Sequence, residues 1–240
     1  MPPTLLLIRH AEAWHNRTDK SWNYDLPDPR LTDGGVQQCE DLQRHLKSSC
    51  PLASRVERIV TSPMRRTLQT TQISLQWLIK SGVPVDVDAM WQENSNAACD
   101  TGSDLKVLAK EFPDVDFEKV DPTYPDKSDK TPYAFTRTAN QARGDACLKA
   151  LYDRPEKVIA IVSHAGFLRT GITRRRFENA DYRVFTFARD SHGSLELFED
   201  ATTEKRGGGM GRSAKGIYLL NDWDFPPEII EEVEEDEDEA

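Results

Sequence analysis

The sequence has no long hydrophobic run and few cysteines. No stretch approaches the ~20 apolar residues that cross a bilayer, and the short apolar run at residues 5–8 lacks the charged flank of a signal peptide. The four cysteines contain no CxxC pair, so we interpret them as reduced thiols. We therefore expect a soluble cytoplasmic protein without a membrane partner, and the nucleus stays open as a second location.

An excess of basic residues is also missing. The net charge is −10, but residues 228–240 contain nine acidic and no basic side chains. Residues 1–227 therefore carry 31 positive and 32 negative side chains, a net charge of −1. A nearly neutral body argues against a nucleic-acid partner. The acidic residues 228–240 predict a disordered tail.

Short apolar runs alternate with helical patterns, and no internal repeat is visible. The predicted strands are residues 5–10, 56–61, 83–90, 157–163, 183–188, 194–198 and 216–220. The predicted helices start at Thr32, at Ser62-Pro63 (reaching about Lys80), at Thr131-Pro132 and after His164. This alternation predicts an α/β fold, a three-layer α/β/α arrangement with a mostly parallel central sheet.

Three segments fall outside this regular pattern. Residues from about 92 to 130 show no sustained period, and we expect a polar insertion there within a single domain over residues 1–227. His192-Gly193 predicts the turn between the fifth and sixth strands. The glycines at 207–209 predict a flexible loop.

Cationic and titratable residues follow three of the predicted strands. Arg9-His10 ends the first strand, Arg65-Arg66 follows the second, and His164 ends the most apolar one. One such strand end alone could be a surface basic pair. If the strands are neighbours in a parallel sheet, however, these groups meet at one crevice. Arginines and histidines gathered there require an anion between them, and guanidinium groups bind phosphate oxygens bidentately.

One of the two histidines could attack phosphorus and carry it as a phosphohistidine. The attacking imidazole must be neutral, with one ring nitrogen free and the other donating to a fixed acceptor. The leaving alkoxide needs a proton from a carboxylic acid. Glu93, just past the third strand, is the best-placed candidate, and Asp100 and Asp104 are weaker ones.

Several motifs in order along the chain resemble one family. Arg9-His10-Ala11-Glu12 resembles the RHG signature of the histidine phosphatase (phosphoglycerate mutase-like) superfamily, branch 1. Asn16 matches a family asparagine, and residues 29–35 (PRLTDGG) resemble its D-x-P-L-T-x-x-G segment. Residues 62–70 (SPMRRTLQT) resemble S-P-L-x-R-A-x-Q-T, and residues 161–166 (IVSHAG) resemble the second-histidine motif. The matches extend over roughly residues 5–170, and their combination is specific.

The resemblance implies a phosphoglycerate mutase-like fold and a role for each charged residue. His10 would be the nucleophile and the phosphohistidine. Arg9, Arg66 and His164 would bind the phosphate with it. Glu93 would donate the proton and later activate water. The resemblance implies no metal and no cofactor, and the sequence shows no ligand cluster that asks for a metal.

Other family positions depart from the usual pattern. Ala11 replaces the glycine of RHG, which is a small change if its φ is negative. Ala13 stands where many members have threonine or serine. Ala165 replaces the first glycine after the second histidine and stands, like Asn16, at a phosphate-binding position. No departure removes a charged group, so we expect an active enzyme.

The sequence favours a phosphatase that hydrolyses a small phosphorylated substrate, and two alternatives stay open. One is a phosphoglycerate-type phosphomutase. The other is a catalytically inactive phospho-ligand binding module. We interpret His15, His45 and His192 as ordinary structural residues. Trp14, Trp22 and Tyr24 are interpreted as packing their loop. The substrate's identity, the oligomeric state and the role of the tail are left open.

Overall fold

The computed structural model describes residues 1–189 and 194–228. The six strands are β1 Thr4–Arg9, β2 Arg58–Thr61, β3 Val85–Val87, β4 Val158–Ser163, β5 Tyr182–Arg189 and β6 Leu195–Glu199. The α-helices are α1 Asp33–Ser49, α2 Arg65–Ser74, α3 Gln76–Lys80, α4 Leu105–Glu111, α5 Arg137–Tyr152, α6 Ala165–Phe167 and α7 Ala201–Glu204. The predicted turn at His192-Gly193 and residues 229–240 of the predicted tail lie outside the described residues.

The strands form one mixed sheet in the order β3-β2-β4-β1-β5-β6. The first four strands of this order are mutually parallel, and β5 and β6 are antiparallel additions at one side. Arg9 at the end of β1 lies opposite Ser163 at the end of β4. The next residues, His10 and His164, therefore leave the sheet together, and the predicted α/β fold with a mostly parallel sheet is confirmed.

Alternate residues of β1 enter separate apolar layers on the two faces of the sheet. Leu6 and Ile8 belong to a core that includes Cys39, Leu42 and Leu46 of α1. Leu5 and Leu7 belong to a core that includes Cys147, Leu148 and Leu151 of α5. Because side chains alternate along a strand, one apolar run supplies both layers.

The bounds of several elements differ from the predictions. The helix predicted from Ser62 to Lys80 begins at Arg65 and divides at Leu75, where the backbone leaves helical geometry (φ −110°, ψ 11°). The helix predicted from Thr131 begins at Arg137, because Thr136 caps it by accepting the N–H of Ala139. Thr32 caps α1 as predicted, accepting the N–H of Gly35.

Two predicted strands are also corrected. β3 is confined to Val85–Val87, because Ala89–Trp91 turns into a short 3-10 helix. The strand predicted at residues 216–220 does not form. The N–H of Tyr218 donates instead to the carbonyl of Arg174 at 2.7 Å, so this segment pairs with a loop and not with the sheet.

The segment predicted as a polar insertion packs over the carboxyl end of the sheet. It contains the 3-10 helix Ala98–Asp100 and α4. Leu108, Phe112 and Tyr124 pack there with Leu68 of α2 in a third apolar cluster. The insertion is thus polar in composition but is attached to α2 through its own small core.

The predicted flexible loop at residues 207–209 is instead buried and held by one carboxylate. Asp181 is fully buried and accepts the N–H of Tyr182 and Met210 at 2.8 Å, with the N–H of Arg212 at 3.2 Å. Ser213 adds its N–H at 3.1 Å and its hydroxyl at 2.7 Å. A Cβ on Gly208 (φ +85°) would lie 2.3 Å from this carboxylate, so the close approach requires glycine there.

We expect Asp181→Asn to destabilise the fold, because an amide NH₂ would face N–H donors that now meet a carboxylate oxygen. The free energy of unfolding should fall by about 2–4 kcal/mol. Urea denaturation followed by circular dichroism measures this change. Asp19→Asn, at an exposed position, is the matched control, and equal small effects of the two changes would contradict the role given to Asp181.

Candidate active site

The predicted convergence of strand ends is present at the carboxyl edge of the sheet. The N–H of His10 donates to the carbonyl of Ser163 at 3.0 Å, and the N–H of Ser62 donates to the carbonyl of Val162 at 3.1 Å. The ring centroids of His10 and His164 lie 5.2 Å apart, and both side chains are buried. Backbone bonds between strands therefore place both histidines in one crevice.

The hydrogen bonds of His10 define its tautomer. Nδ1 lies 2.7 Å from the carbonyl oxygen of Ala11, so Nδ1 carries the hydrogen and donates it. Nε2 lies 3.2 Å from Nε of Arg66. A guanidinium has only donors, so Nε2 must be the acceptor and carries no hydrogen of its own. His10 is a neutral imidazole with the arrangement that a nucleophile needs.

Arg66 is fully buried and joins three parts of the chain. Besides its bond to His10, its Nη1 donates to the carbonyl of Cys99 at 2.6 Å and its Nη2 donates to Asp100 at 2.9 Å. The other oxygen of Asp100 accepts the hydroxyl of Ser95 at 2.6 Å. The guanidinium is therefore fixed between the end of β1 and the insertion.

The neighbouring arginine is directed elsewhere, as the motif alignment predicts. Arg65 pairs with Glu111 of α4 at 2.7 Å and with Asp28 at 3.3 Å. Asp28 also accepts the N–H of Ser103 at 3.0 Å. Arg65 thus fastens the insertion to the start of α2, while Arg66 enters the site.

Arg9 is also buried in the site. Its Nη1 donates to the carbonyl of Phe177 at 2.8 Å and lies 3.8 Å from the carboxylate of Glu178, while its Nε has no partner among the described residues. Burial lowers the pKa of Arg9 to about 10, so it stays cationic at neutral pH. The crevice therefore holds two guanidinium groups beside neutral imidazoles.

His164 completes the group. Its Nε2 lies 2.9 Å from the hydroxyl of Ser62, and its buried Nδ1 has no partner in the part of the chain that the structure describes. Ser62 was predicted to cap a helix. Its hydroxyl instead contacts the second histidine, although it also lies 3.4 Å from the N–H of Met64.

Three buried histidines in the site have lowered pKa values. Burial, with Arg66 next, lowers the pKa of His10 and of His164 well below the ordinary value. The same causes lower the pKa of His15 to about 3. The imidazoles are therefore uncharged at neutral pH, which keeps the lone pair of His10 Nε2 free of a proton.

In space, Glu93 lies beside the first turn of α6, the helix that directly follows His164. Its carboxylate accepts the N–H groups of Phe167 at 2.7 Å, Asn94 at 2.9 Å and Gly166 at 3.0 Å. The ammonium of Lys127 donates to the carbonyl of Glu93 at 2.6 Å, from within the insertion. Glu93 is therefore held between the second-histidine motif and the insertion.

The two weaker acid candidates have other contacts. Asp100 pairs with Arg66, as described. Asp104 is exposed and caps α4 by accepting the N–H of Lys106 at 2.7 Å. The structure brings Asp100 to the site as a partner of the guanidinium and leaves Asp104 at the surface.

Asn16 lies behind the end of β1. Its side-chain oxygen accepts the N–H of Ala13 at 2.8 Å, and its amide nitrogen donates to Asn179 at 3.2 Å. Asn179 in turn donates to the carbonyl of His10 at 3.1 Å. Ala11 donates its N–H to the hydroxyl of Thr70 at 3.1 Å and is not among the residues with positive φ, so alanine fits there.

His15 was interpreted as an ordinary residue, but it belongs to the site. Its ring lies 5.8 Å from that of His10, and it is buried. His15, Cys99 and Asp100 each offer one ligand atom within 4.8 Å of the others, a group of the kind that can hold a metal ion. Asp100 is already paired with Arg66, and burial raises the pKa of the Cys99 thiol to about 12. Only the position of His15 five residues after His10 could have suggested its place.

The chain belongs to the histidine phosphatase superfamily (branch 1), whose family model matches residues 5–203. A Schizosaccharomyces pombe protein named a "probable phosphatase" is 34% identical over 169 residues, covering 69% of this chain and 76% of its own. Phosphoglycerate mutase-like protein 1 of Arabidopsis thaliana is 32% identical over 197 residues, covering 69% of each chain. The family resemblance is confirmed, and it supports a phosphatase activity.

Two solved structures share the fold. The Shigella flexneri alpha-ribazole phosphatase has a TM-score of 0.51 and 18% identity, covering 82% of this chain and 95% of its own. A phosphoserine phosphatase mutant of Entamoeba histolytica, solved with phosphoserine, has a TM-score of 0.51 and 20% identity, covering 83% of this chain and 98% of its own.

Among the described residues, no helix is long and apolar enough to span a bilayer.

We expect acid to destabilise the protein through the three site histidines. Because their pKa values are lowered by folding, the unfolded chain binds more protons below about pH 6.5, and stability falls as the pH falls. Between about pH 7 and about pH 5.5, each histidine should lower the free energy of unfolding by about 1 kcal/mol.

Urea denaturation at both pH values measures this loss. His15→Asn should reduce the loss by about 1 kcal/mol, because it removes one of the three titrating groups. An unchanged pH dependence in the variant would show that His15 titrates alike in the folded and unfolded chains.

Proposed function

We propose that this protein is a phosphomonoesterase that works through a phosphohistidine on His10. The observation that supports this best is the tautomer of His10, with Nδ1–H donating to the carbonyl of Ala11 and Nε2 facing Arg66. Nε2 attacks phosphorus as the bond from phosphorus to the leaving oxygen breaks. The leaving alcohol is released, and the phosphoryl group stays on Nε2.

The phosphoryl oxygens are bound by the cations and donors around His10. Arg9 and Arg66 supply guanidinium N–H groups, and His164 supplies a ring N–H. Two buried nitrogens, Nε of Arg9 and Nδ1 of His164, have no partner among the described residues and are candidates for this contact. Asn16 donates to Asn179, which donates to the carbonyl of His10, and the N–H of Ala165 lies at the start of α6 as a further donor.

Glu93 moves the protons in both steps. As a carboxylic acid it protonates the leaving alkoxide, and as a carboxylate it takes a proton from water. The water oxygen then attacks phosphorus, the bond from phosphorus to Nε2 breaks, and phosphate leaves with His10 neutral again. Three backbone N–H groups and the Lys127 contact below it support a fixed position for this carboxyl group.

The catalytic unit of this proposal is a single domain over residues 1–227, acting in the cytoplasm on a small phosphorylated substrate. The insertion at about residues 92–130 contacts Arg66 through Cys99 and Asp100, which makes it the segment that sets substrate choice. A mutase differs only in returning the phosphoryl group to substrate. An inactive binding module would have no use for an unprotonated Nε2 on His10.

We expect His10→Ala to lower kcat/KM for p-nitrophenyl phosphate by more than about a thousandfold, because it removes the nucleophile. Wild type mixed with labelled substrate should also take up an acid-labile phosphoryl label that the variant does not. His45→Ala, on helix α1, is the matched control. Absence of both phosphate release and label in wild type would refute the hydrolase, and exchange between phosphoglycerate isomers without phosphate release would identify a mutase.

We expect Glu93→Gln to slow esters of poor leaving groups most. An alkyl phosphate needs the proton and should lose about a hundredfold in kcat, whereas p-nitrophenyl phosphate should lose less than about tenfold. Steady-state kinetics with both substrates measures the difference. Glu118→Gln, at an exposed position in the same insertion, is the control. Equal slowing of both substrates would assign the proton to another group.

A further inference from the structure

A series of aromatic rings leads from His10 to the protein surface. The ring centroids of His10 and His15 lie 5.8 Å apart, those of His15 and Trp22 lie 6.3 Å apart in an edge-on arrangement, and those of Trp22 and Tyr24 lie 5.9 Å apart. These are the spacings of packed aromatic rings. The series therefore forms one continuous aromatic surface that starts at the nucleophile.

The outer end of this series is open to solvent. His15 is 5% exposed, whereas Trp22 and Tyr24 are each 53% exposed. Both residues were predicted to pack their loop. Half-exposed large aromatic side chains side by side leave apolar ring surface facing water, which marks a contact surface for a ligand or partner.

The aromatic loop is tied to the site by its backbone. The N–H of Asn23 donates to the carbonyl of His15 at 2.8 Å, and the N–H of Cys99 donates to the carbonyl of Tyr24 at 3.0 Å. The carbonyl of the same Cys99 accepts an N–H of the Arg66 guanidinium. Trp22 and Tyr24 are thus held at a fixed distance from the atoms that would bind phosphate.

The charge of this surface restricts what it can contact. The inner ring, His15, is uncharged at neutral pH, so it offers a neutral π face. Arg17, a cation in the same loop, is already engaged by Asp19 at 2.6 Å and lies over Trp14. Lys20 is another cation of this loop and is exposed, whereas the three ring side chains carry no cation to which a leaving-group carboxylate could bind.

We propose that His15, Trp22 and Tyr24 form the binding surface for the leaving group, and that the preferred substrates are phosphomonoesters whose alcohol carries an aromatic or heteroaromatic ring. This inference rests on the proposed function, since it assumes that the phosphoryl group is bound at His10. A ring within a few bonds of phosphorus continues the series of rings that the protein already contains. Trp22 is a specificity residue of the site.

Binding of non-hydrolysable phosphonates tests the surface without turnover. Phenethylphosphonate and cyclohexylethylphosphonate differ only in whether the ring is aromatic. By isothermal titration calorimetry, wild type should bind the aromatic compound about fivefold more tightly. Trp22→Ala should reduce this preference to less than about twofold, and Trp22→Phe should keep most of it. Trp223→Ala, at another exposed tryptophan, is the control and should leave the preference unchanged.

Equal affinity of wild type for the two phosphonates, or a preference that survives Trp22→Ala, would overturn the inference. The corresponding phosphate esters separate this from the proposed function. Equal kcat/KM for the two esters would leave the phosphatase in place and refute the aromatic substrate class. A phosphonate preference without release of phosphate from either ester would support the aromatic surface and refute the hydrolase.

Discussion

The buried Arg66 guanidinium is the interaction on which the site depends. It donates to the ring of His10, to the carbonyl of Cys99 and to the carboxylate of Asp100, so it joins the end of β1 to the insertion. A buried guanidinium must find protein acceptors for its N–H groups. Here the acceptors come from segments that are distant from Arg66 along the chain. A lysine ammonium could not hold the same three partners, because its N–H groups all radiate from one nitrogen, whereas those of a guanidinium are spread over three nitrogens of a planar group. With the Ala11 carbonyl, the Arg66 side chain fixes the tautomer of His10, and with Arg65 it attaches the insertion to the sheet edge.

The same burial has an electrostatic consequence for the neighbouring rings. Removing His10, His15 and His164 from water beside two arginines makes their cationic forms unfavourable. The imidazoles therefore remain neutral, and the two guanidinium groups supply positive charge beside them. An anion that enters the crevice would meet these cations next to an unprotonated ring nitrogen, the combination on which the proposed role of His10 depends.

The sequence predicted the sheet and the charged residues that converge at its edge, because apolar runs and the residues that follow them are local signals. It did not predict the break at Leu75, the buried turn around Gly208 or the place of His15. Each of these depends on contacts between distant segments. Leu75 follows Ser74, whose hydroxyl donates to the carbonyl of Cys39 at 3.2 Å, and Gly208 lies against Asp181. His15 reaches the site only because its loop folds back toward Cys99. The insertion was recognised by its composition, but its bonds to Arg66 had no signal in one sequence.

The contacts of Asp181 extend past the residues that the family model matches. The family match stops at residue 203, yet the donors that Asp181 needs include Met210, Arg212 and Ser213. The carbonyl of Asp181 accepts the N–H of Arg9 at 3.1 Å, so Asp181 lies directly beside the end of β1. A polypeptide trimmed at the edge of detectable similarity would keep every motif residue and still bury an unmatched negative charge beside them. The folded unit of this chain therefore extends beyond the residues that the family model matches.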